Sequence, residues 1–357
     1  MSRNALDHLA MLVAHDTTNP EQTMHPEHPI LRYLDAALVS SGFETQITDH
    51  DDGCVNLLGI RGRPDLLLNA HIDTVPIGDG WSRDPFELSI EGGKAFGRGA
   101  CDIKGGAASI LAAAERTDAP VGVLFTTDEE GGRGRCINGF IQSAPFTPRA
   151  VIVAEPTESE FVLQHRGFVS FEVEFSGTAG HSSGFNGASS SAVHAALRWA
   201  NTLLDRAATG DLLGERFNIG IVNGGEASNV IASTCVMRCG FRPSVKLGMS
   251  YRKVLNAIRK TAESSGAEWT ERWVAPPLIE TPTTESLLSN WESPRAADVD
   301  FWTEAALFGD AGWPAMVLGP GNIAQAHTAD EFVQVSQLEL ATDRYISIIQ
   351  RGLGHAA

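Results

Sequence analysis

Residues 65–76 read DLLLNAHIDTVP. A continuous, non-alternating apolar run of this length reads as a strand buried on both faces. His71 and Asp73 then stand one residue apart, where the strand gives way to a loop. Imidazole is a good zinc ligand, and a carboxylate two residues on can orient its ring from behind. An isolated His-x-Asp is also common without a metal, so the reading depends on what other segments bring to the same place.

Working outward, VNLLGI (55–60), VGVLFTTD (121–128) and AVIVAEP (150–156) repeat the buried-strand pattern, and KGGAASILAAAER (104–116) reads as a small-residue helix between them. This is the rhythm of an α/β domain with helices on both faces of a sheet. Functional groups in such sheets gather just past the carboxyl ends of strands. The texture changes near residue 165. FVSFEVEF (168–175) alternates as a half-exposed antiparallel strand does. A helix over 188–204, strands at 216–225 and 233–243, a helix over 251–264 and a strand at 268–275 follow. The order β-α-β-β-α-β suggests a ferredoxin-like module. From about 276 the chain rejoins the first domain, with a strand at PAMVLGP (314–320) and a closing helix at 336–351. The expected organisation is an α/β/α domain (1–164 and 276–357) interrupted by an inserted α+β domain (165–275).

The 357 residues match about two domains. With 43% hydrophobic and 20% charged residues, the composition is globular, and the net charge is −17. Nucleic acid and anionic membrane are polyanions and would be repelled, so neither is an expected partner. The cysteines, Cys54, Cys101, Cys136, Cys235 and Cys239, are odd in number and form no CxxC pair, as in a reducing compartment. No apolar run is long enough for a membrane span, and residues 1–17 read as an amphipathic helix instead of a leader. The expected location is the cytoplasm.

Further acids follow the pattern of His71 and Asp73. GRGACDIKGG (97–106) puts Asp102 between a glycine-rich turn and a helix, where it reads either as an N-cap or as a ligand. TTDEEGG (126–132) carries Asp128, Glu129 and Glu130, and VAEPT (153–157) carries Glu155. Four acidic sites at successive strand ends would repel one another unless a divalent cation lay among them. A second histidine, His327, sits in GNIAQAHTADEF (321–332) after the strand 314–320. His181 in GTAGHSS (177–183) reads as a turn histidine or a functional one, and Arg242 as a surface residue or an anion binder.

These segments, in this order, resemble the co-catalytic zinc amidohydrolases, a family that includes aminoacylase-1, carboxypeptidase G2, succinyl-diaminopimelate desuccinylase and acetylornithine deacetylase. The likeness spans nearly the whole chain. Through FWTEAALF (301–308) and GNIAQAHTADEF it is closest to the N-acetylcitrulline and N-acetylornithine deacetylases. It implies a mixed-sheet α/β/α zinc-hydrolase catalytic domain with an inserted ferredoxin-like α+β dimerisation (lid) domain, and two divalent ions, zinc or cobalt. His71 and Glu155 would hold one, Glu130 and His327 the other, and Asp102 both. It implies Asp73 as the partner of His71 and Glu129 as general base toward a hydroxide shared by the two ions. It implies His181 as an oxyanion donor reaching a partner subunit's site, and Asn229 and Arg242 as binders of the substrate carboxylate. A homodimer through 165–275 follows. Ala232 and Glu304 stand where relatives place proline and aspartate. The implied activity is hydrolysis of an N-acylated amino acid, with acetylcitrulline or acetylornithine foremost, in arginine biosynthesis. Succinyl-diaminopimelate hydrolysis is the first alternative, dipeptidase or carboxypeptidase activity the second, and a non-catalytic binding protein on this scaffold the third.

Overall fold

The computed structural model describes residues 3–19, 24–132, 134–184, 190–208 and 216–353. The chain divides into two compact units. The first is Met1–Gln164, Leu278–Val299 and Thr303–Ala357, and the second is His165–Pro277 with Asp300–Trp302.

The first unit begins with α1 (Ala5–Val13) and α2 (Pro29–Ser40). Asn4 and Asp7 close a capping box at the start of α1, each side chain accepting the other's backbone N–H. Then come β1 (Glu44–Asp49), β2 (Val55–Arg61), β3 (Leu66–His71), β4 (Ser89–Glu91), β5 (Lys94–Phe96), α3 (Lys104–Glu115), β6 (Val121–Thr126), α4 (Arg135–Ser143) and β7 (Ala150–Val153).

The second unit holds β8 (Phe168–Ser176), β9 (Gly180–His181), α5 (Ala192–Ala208), β10 (Asn218–Gly224), β11 (Val230–Ile231), β12 (Thr234–Phe241), α6 (Tyr251–Ser264) and β13 (Glu268–Ala275). Of the helix read at 188–204, Ala188 and Ser189 lie outside the described residues. The first unit resumes with α7 (Pro282–Trp291), α8 (Ala305–Asp310), β14 (Ala315–Val317), β15 (Phe332–Gln334) and α9 (Val335–Arg351).

The large sheet of the first unit runs β1-β2-β6-β3-β7-β14. β6, β3, β7 and β14 are parallel; β2 runs antiparallel to β6, and β1 antiparallel to β2. The sheet is therefore mixed, as expected. β3, β6 and β7 are buried at every position, which is why they carry no polar alternation. Helix α3 packs on α1 and α9 and is buried from Lys104 to Ala114. Its small residues permit that approach: a Cβ on Gly106 would lie 2.4 Å from the Ala154 carbonyl oxygen, next to Glu155. A separate three-stranded sheet, β15-β5-β4, ties residues 332–334 to residues 89–96.

The second unit is a four-stranded antiparallel sheet in the order β10-β12-β8-β13. Alternate residues of β8 (Val169, Phe171, Val173 and Phe175) enter its core with Trp199 of α5 and Tyr251 of α6. The element order is β-α-β-β-α-β, with β9 and β11 pairing separately. Among the described residues no helix is long and apolar enough to cross a membrane.

Candidate metal centre

Because β3, β6, β7 and β14 are parallel, the loops after them leave one edge of the large sheet. His71 ends β3 opposite Thr126 of β6. Its Nδ1 lies 3.0 Å from the Asp73 carbonyl oxygen and 3.4 Å from the Asp73 carboxylate. A carbonyl oxygen only accepts, so in the neutral ring Nδ1 carries the hydrogen and Nε2 presents its lone pair. That Nε2 lies 3.2 Å from Asp102 Oδ1, 3.5 Å from Glu155 Oε1 and 4.0 Å from Glu129 Oε2. Asp73 Oδ2 accepts from Asn19 Nδ2 (2.9 Å) and from the Glu130 N–H (3.0 Å), so the residue behind His71 also holds the Glu130 loop.

His327 lies between β14 and β15 with φ 60°, the left-handed region that a non-glycine residue enters only where its surroundings enforce it. Its Nε2 is 3.1 Å from Asp102 Oδ2 and 3.1 Å from Glu130 Oε1. The two oxygens of Asp102 thus face different histidines. His71, Asp102 and Glu155 form one group whose ligand atoms all lie within 4.8 Å, and Asp102, Glu130 and His327 form a second. His71, Glu129 and Glu130 form a third.

This donor set fits divalent cations. His71 Nε2 and Asp102 Oδ1 are buried and make no aligned hydrogen bond although they are close. A tetrahedral ion with bonds of about 2.0–2.1 Å keeps its ligands roughly 3.3 Å apart, the spacing found here. Imidazole nitrogen with carboxylate oxygen suits zinc and similar ions.

The electrostatics express the same crowding. Burial raises Glu129 well above the ordinary carboxylate range, with Glu130 and Glu155 adding to the effect. Burial and repulsion from Asp102 push Glu155 up to about 7. His327 is raised to about 10 by Asp102 and Glu130. His71 is raised although burial opposes it, because Asp102, Asp73 and Glu155 crowd its ring. Protons on the histidines thus balance part of the negative charge, and a cation that took their place would release them.

Two expectations are corrected. Asp102 does not end a strand of the large sheet; it follows β5 of the small sheet and a turn. Nor does it cap α3, whose N-cap is Ile103 with no side-chain cap bond. Asp128 has a structural role: Oδ2 accepts from the Arg135 and Cys136 N–H groups at the start of α4. Glu304 is buried, accepts from Thr126 Oγ1 (2.7 Å), and is pushed up to about 8 by burial and Asp128. Sequence reasoning missed Asn19 and Glu331, because residues that support ligands through hydrogen bonds need no diagnostic spacing.

Three sequence candidates lie in the second unit. His181 and Val230 pair across β9 and β11, which puts Asn229 beside them; its carbonyl oxygen accepts from the Ser182 N–H (3.0 Å). His181 Nδ1 accepts from the Ser183 N–H (3.2 Å). In the neutral ring the hydrogen therefore sits on Nε2, making that exposed atom a donor. Arg242 follows β12, is half-buried and stacks over Phe168 at 4.4 Å.

The profile of the Peptidase family M20/M25/M40 matches residues 67–351. The chain is 42% identical to an N-acetyl-L-citrulline deacetylase of Xanthomonas campestris pv. campestris, over 98% of this chain and 97% of that protein. It is 31% identical to an acetylornithine deacetylase of Proteus mirabilis, over 89% of this chain and 88% of that one. Among solved structures, the aminopeptidase PepT of Bacillus cereus superposes with a TM-score of 0.76 at 17% identity, covering 98% of each chain. A dinuclear metal-binding M20 peptidase of Bacillus subtilis superposes with a TM-score of 0.69 at 16% identity, covering 97% and 96%. A family match over most of the length, with relatives this similar from end to end, identifies the chain as a member of the Peptidase family M20/M25/M40.

Proposed function

We propose that the chain is a metal-dependent deacetylase of arginine biosynthesis, cleaving the acetyl group from the α-nitrogen of an N-acetylated amino acid, with N-acetyl-L-citrulline as substrate and N-acetyl-L-ornithine second. The observation that carries the reading is 42% identity over 98% of the chain to a protein with that activity. The histidine and carboxylate cluster supports metal dependence. His71 and Glu155 would hold one ion, Glu130 and His327 the other, and Asp102 both. Zinc fits the donor set, and cobalt would substitute. Bound there, two cations supply Lewis acidity that acidifies water and polarises an amide carbonyl.

The chain's own residues do the rest. Asp73, held by Asn19, orients His71. Glu129, its side chain 14% exposed and 4.0 Å from His71 Nε2, takes a proton from the attacking water and delivers it to the leaving α-nitrogen. His181 offers an Nε2–H to the oxyanion in a partner copy's site, and Asn229 and Arg242 bind the substrate carboxylate. A homodimer through residues 165–275 fits the second unit: β10 is an edge strand, with Ile221 and Val222 exposed, and α5 exposes Leu197 and Leu204. An exposed apolar edge invites pairing with a second copy. A cytoplasmic location fits the free cysteines.

Steady-state hydrolysis of acetylcitrulline, acetylornithine and succinyl-diaminopimelate with zinc or cobalt tests the reading. A kcat/KM preference for acetylcitrulline is expected, whereas activity on succinyl-diaminopimelate alone or on dipeptides alone would overturn it. Sedimentation at micromolar concentration should give a dimer.

A further inference from the structure

We propose that Glu331 is a positioning residue: its carboxylate clamps the loop bearing Asp102 to the loop bearing His327, so that the two-cation site is assembled before any ion arrives. The inference rests on the two-cation reading above.

Glu331 is 1% exposed, at the junction of the His327 loop and β15. Its Oε1 accepts from the Cys101 N–H (2.9 Å) and the Asp102 N–H (3.0 Å). Its Oε2 accepts from Arg98 Nη1 (2.8 Å) and the Gly99 N–H (3.0 Å). A carboxylate has about four acceptor positions, and four donors meet them here. The Glu331 carbonyl oxygen accepts a further bond, from the Gly97 N–H (2.9 Å). Arg98 is buried and also donates Nη2 to the Pro76 carbonyl oxygen (3.2 Å), in the loop that follows His71 and Asp73. One carboxylate and one guanidinium therefore join three ligand-bearing segments. The backbone of Asp102 is fixed at its own N–H, and its two oxygens then lie 3.2 and 3.1 Å from the two histidines.

The chemistry demands an anion at this position. In glutamine either oxygen becomes an NH2 group, which would face two donors and could accept from neither. Arg98 would also lose its buried counter-charge. Aspartate keeps the charge but is one methylene too short to reach both pairs of donors.

The test uses the full chain with Glu331→Gln and Glu331→Asp, freed of metal and titrated with zinc against a chromophoric chelator. Zinc affinity should fall about 10–100-fold in both, the usual cost of losing an outer-shell partner. The visible spectrum of the cobalt-saturated variants should change, because it reports ligand geometry and not general stability. Cys101, buried beside the clamp, should become reactive to a thiol reagent in metal-free Glu331→Gln and stay shielded in metal-free wild type. Removing that reactivity with Cys101→Ala assigns it. If Glu331→Gln does not fold, Glu331→Asp decides. Wild-type zinc affinity with an unchanged cobalt spectrum and a shielded Cys101 would overturn the proposal. A wild-type protein that binds zinc but deacetylates nothing refutes the proposed activity and leaves the clamp standing. One that binds no cation refutes the metal reading, and Cys101 reactivity alone then judges the clamp.

Discussion

Replacing Glu129 by glutamine separates the two roles its position allows. Glu129 Oε2 is 4.0 Å from His71 Nε2, whereas the approaches between each histidine and the carboxylates of Asp102, Glu130 and Glu155 are 3.1–3.5 Å. It stands outside that spacing, at a distance that leaves room for a reacting atom between. As a base it should be worth a factor of about 10²–10⁴ in kcat. At 1.36 kcal/mol per decade this is roughly 3–5.5 kcal/mol of transition-state stabilisation. Glutamine keeps the volume and removes only the proton-accepting oxygen, so KM should stay within about threefold and bound metal should remain two ions per chain, on the assignment of ligands made above. Released citrulline measured across pH gives kcat, and plasma emission spectrometry gives the metal content. A fall in kcat of less than tenfold would place the base elsewhere. Loss of one metal equivalent would make Glu129 a ligand, as its grouping with His71 and Glu130 allows.

Metal binding should release at least two protons at pH 7, because both histidines are raised in the metal-free cluster, His327 to about 10, and Glu155, at about 7, adds part of a third. The sign follows: below pH 10 the proton on His327 competes with the cation. Apparent affinity should therefore rise with pH, roughly tenfold per unit for each proton displaced. Calorimetry in two buffers of different ionisation enthalpy checks this, and identical heats would refute it. Asp73→Asn should weaken zinc binding about 10–100-fold. Its amide would present a donor either to His71 Nδ1 or to Asn19 and Glu130; unchanged affinity in a chelator titration would remove Asp73 from the support of the site. His181→Ala should lower kcat about 10²–10³-fold with metal content unchanged, and activity within threefold of wild type would end its role as an oxyanion donor.

The sequence made the buried strands legible because their apolar runs do not alternate, and β8 legible because it does. It also pointed to His71, Glu155, His327 and the acidic run Asp128–Glu130 as neighbours, since each follows an apolar run that had to be a strand; the choice of Glu130 within that run came from the family resemblance. The small sheet was not legible. β4, β5 and β15 have three residues each, too few for any period to show. Apolar runs therefore cannot place Asp102, nor show the lacing of residues 94–102 to 331–334. The antiparallel direction of β2 was also hidden, because burial on both faces looks the same in either orientation. Glu331 and Asn19 were missed for a different reason: backbone N–H groups and amides recognise them by shape, and any sequence can supply such partners.

The lacing of the small sheet has a consequence for biosynthesis. Asp102 and Glu331 are 229 residues apart, and Glu130 and His327 are 197 apart, with the second unit encoded between them. A nascent chain emerging from the ribosome therefore presents His71, Asp102, Glu130 and Glu155 to the cell's metal pool long before His327 is made. Until residue 331 has been translated and has docked, any captured ion would be held by a half-built cage from which it could exchange. On the ligand assignment proposed above, secure loading with two ions would wait until residues 327–331 have emerged.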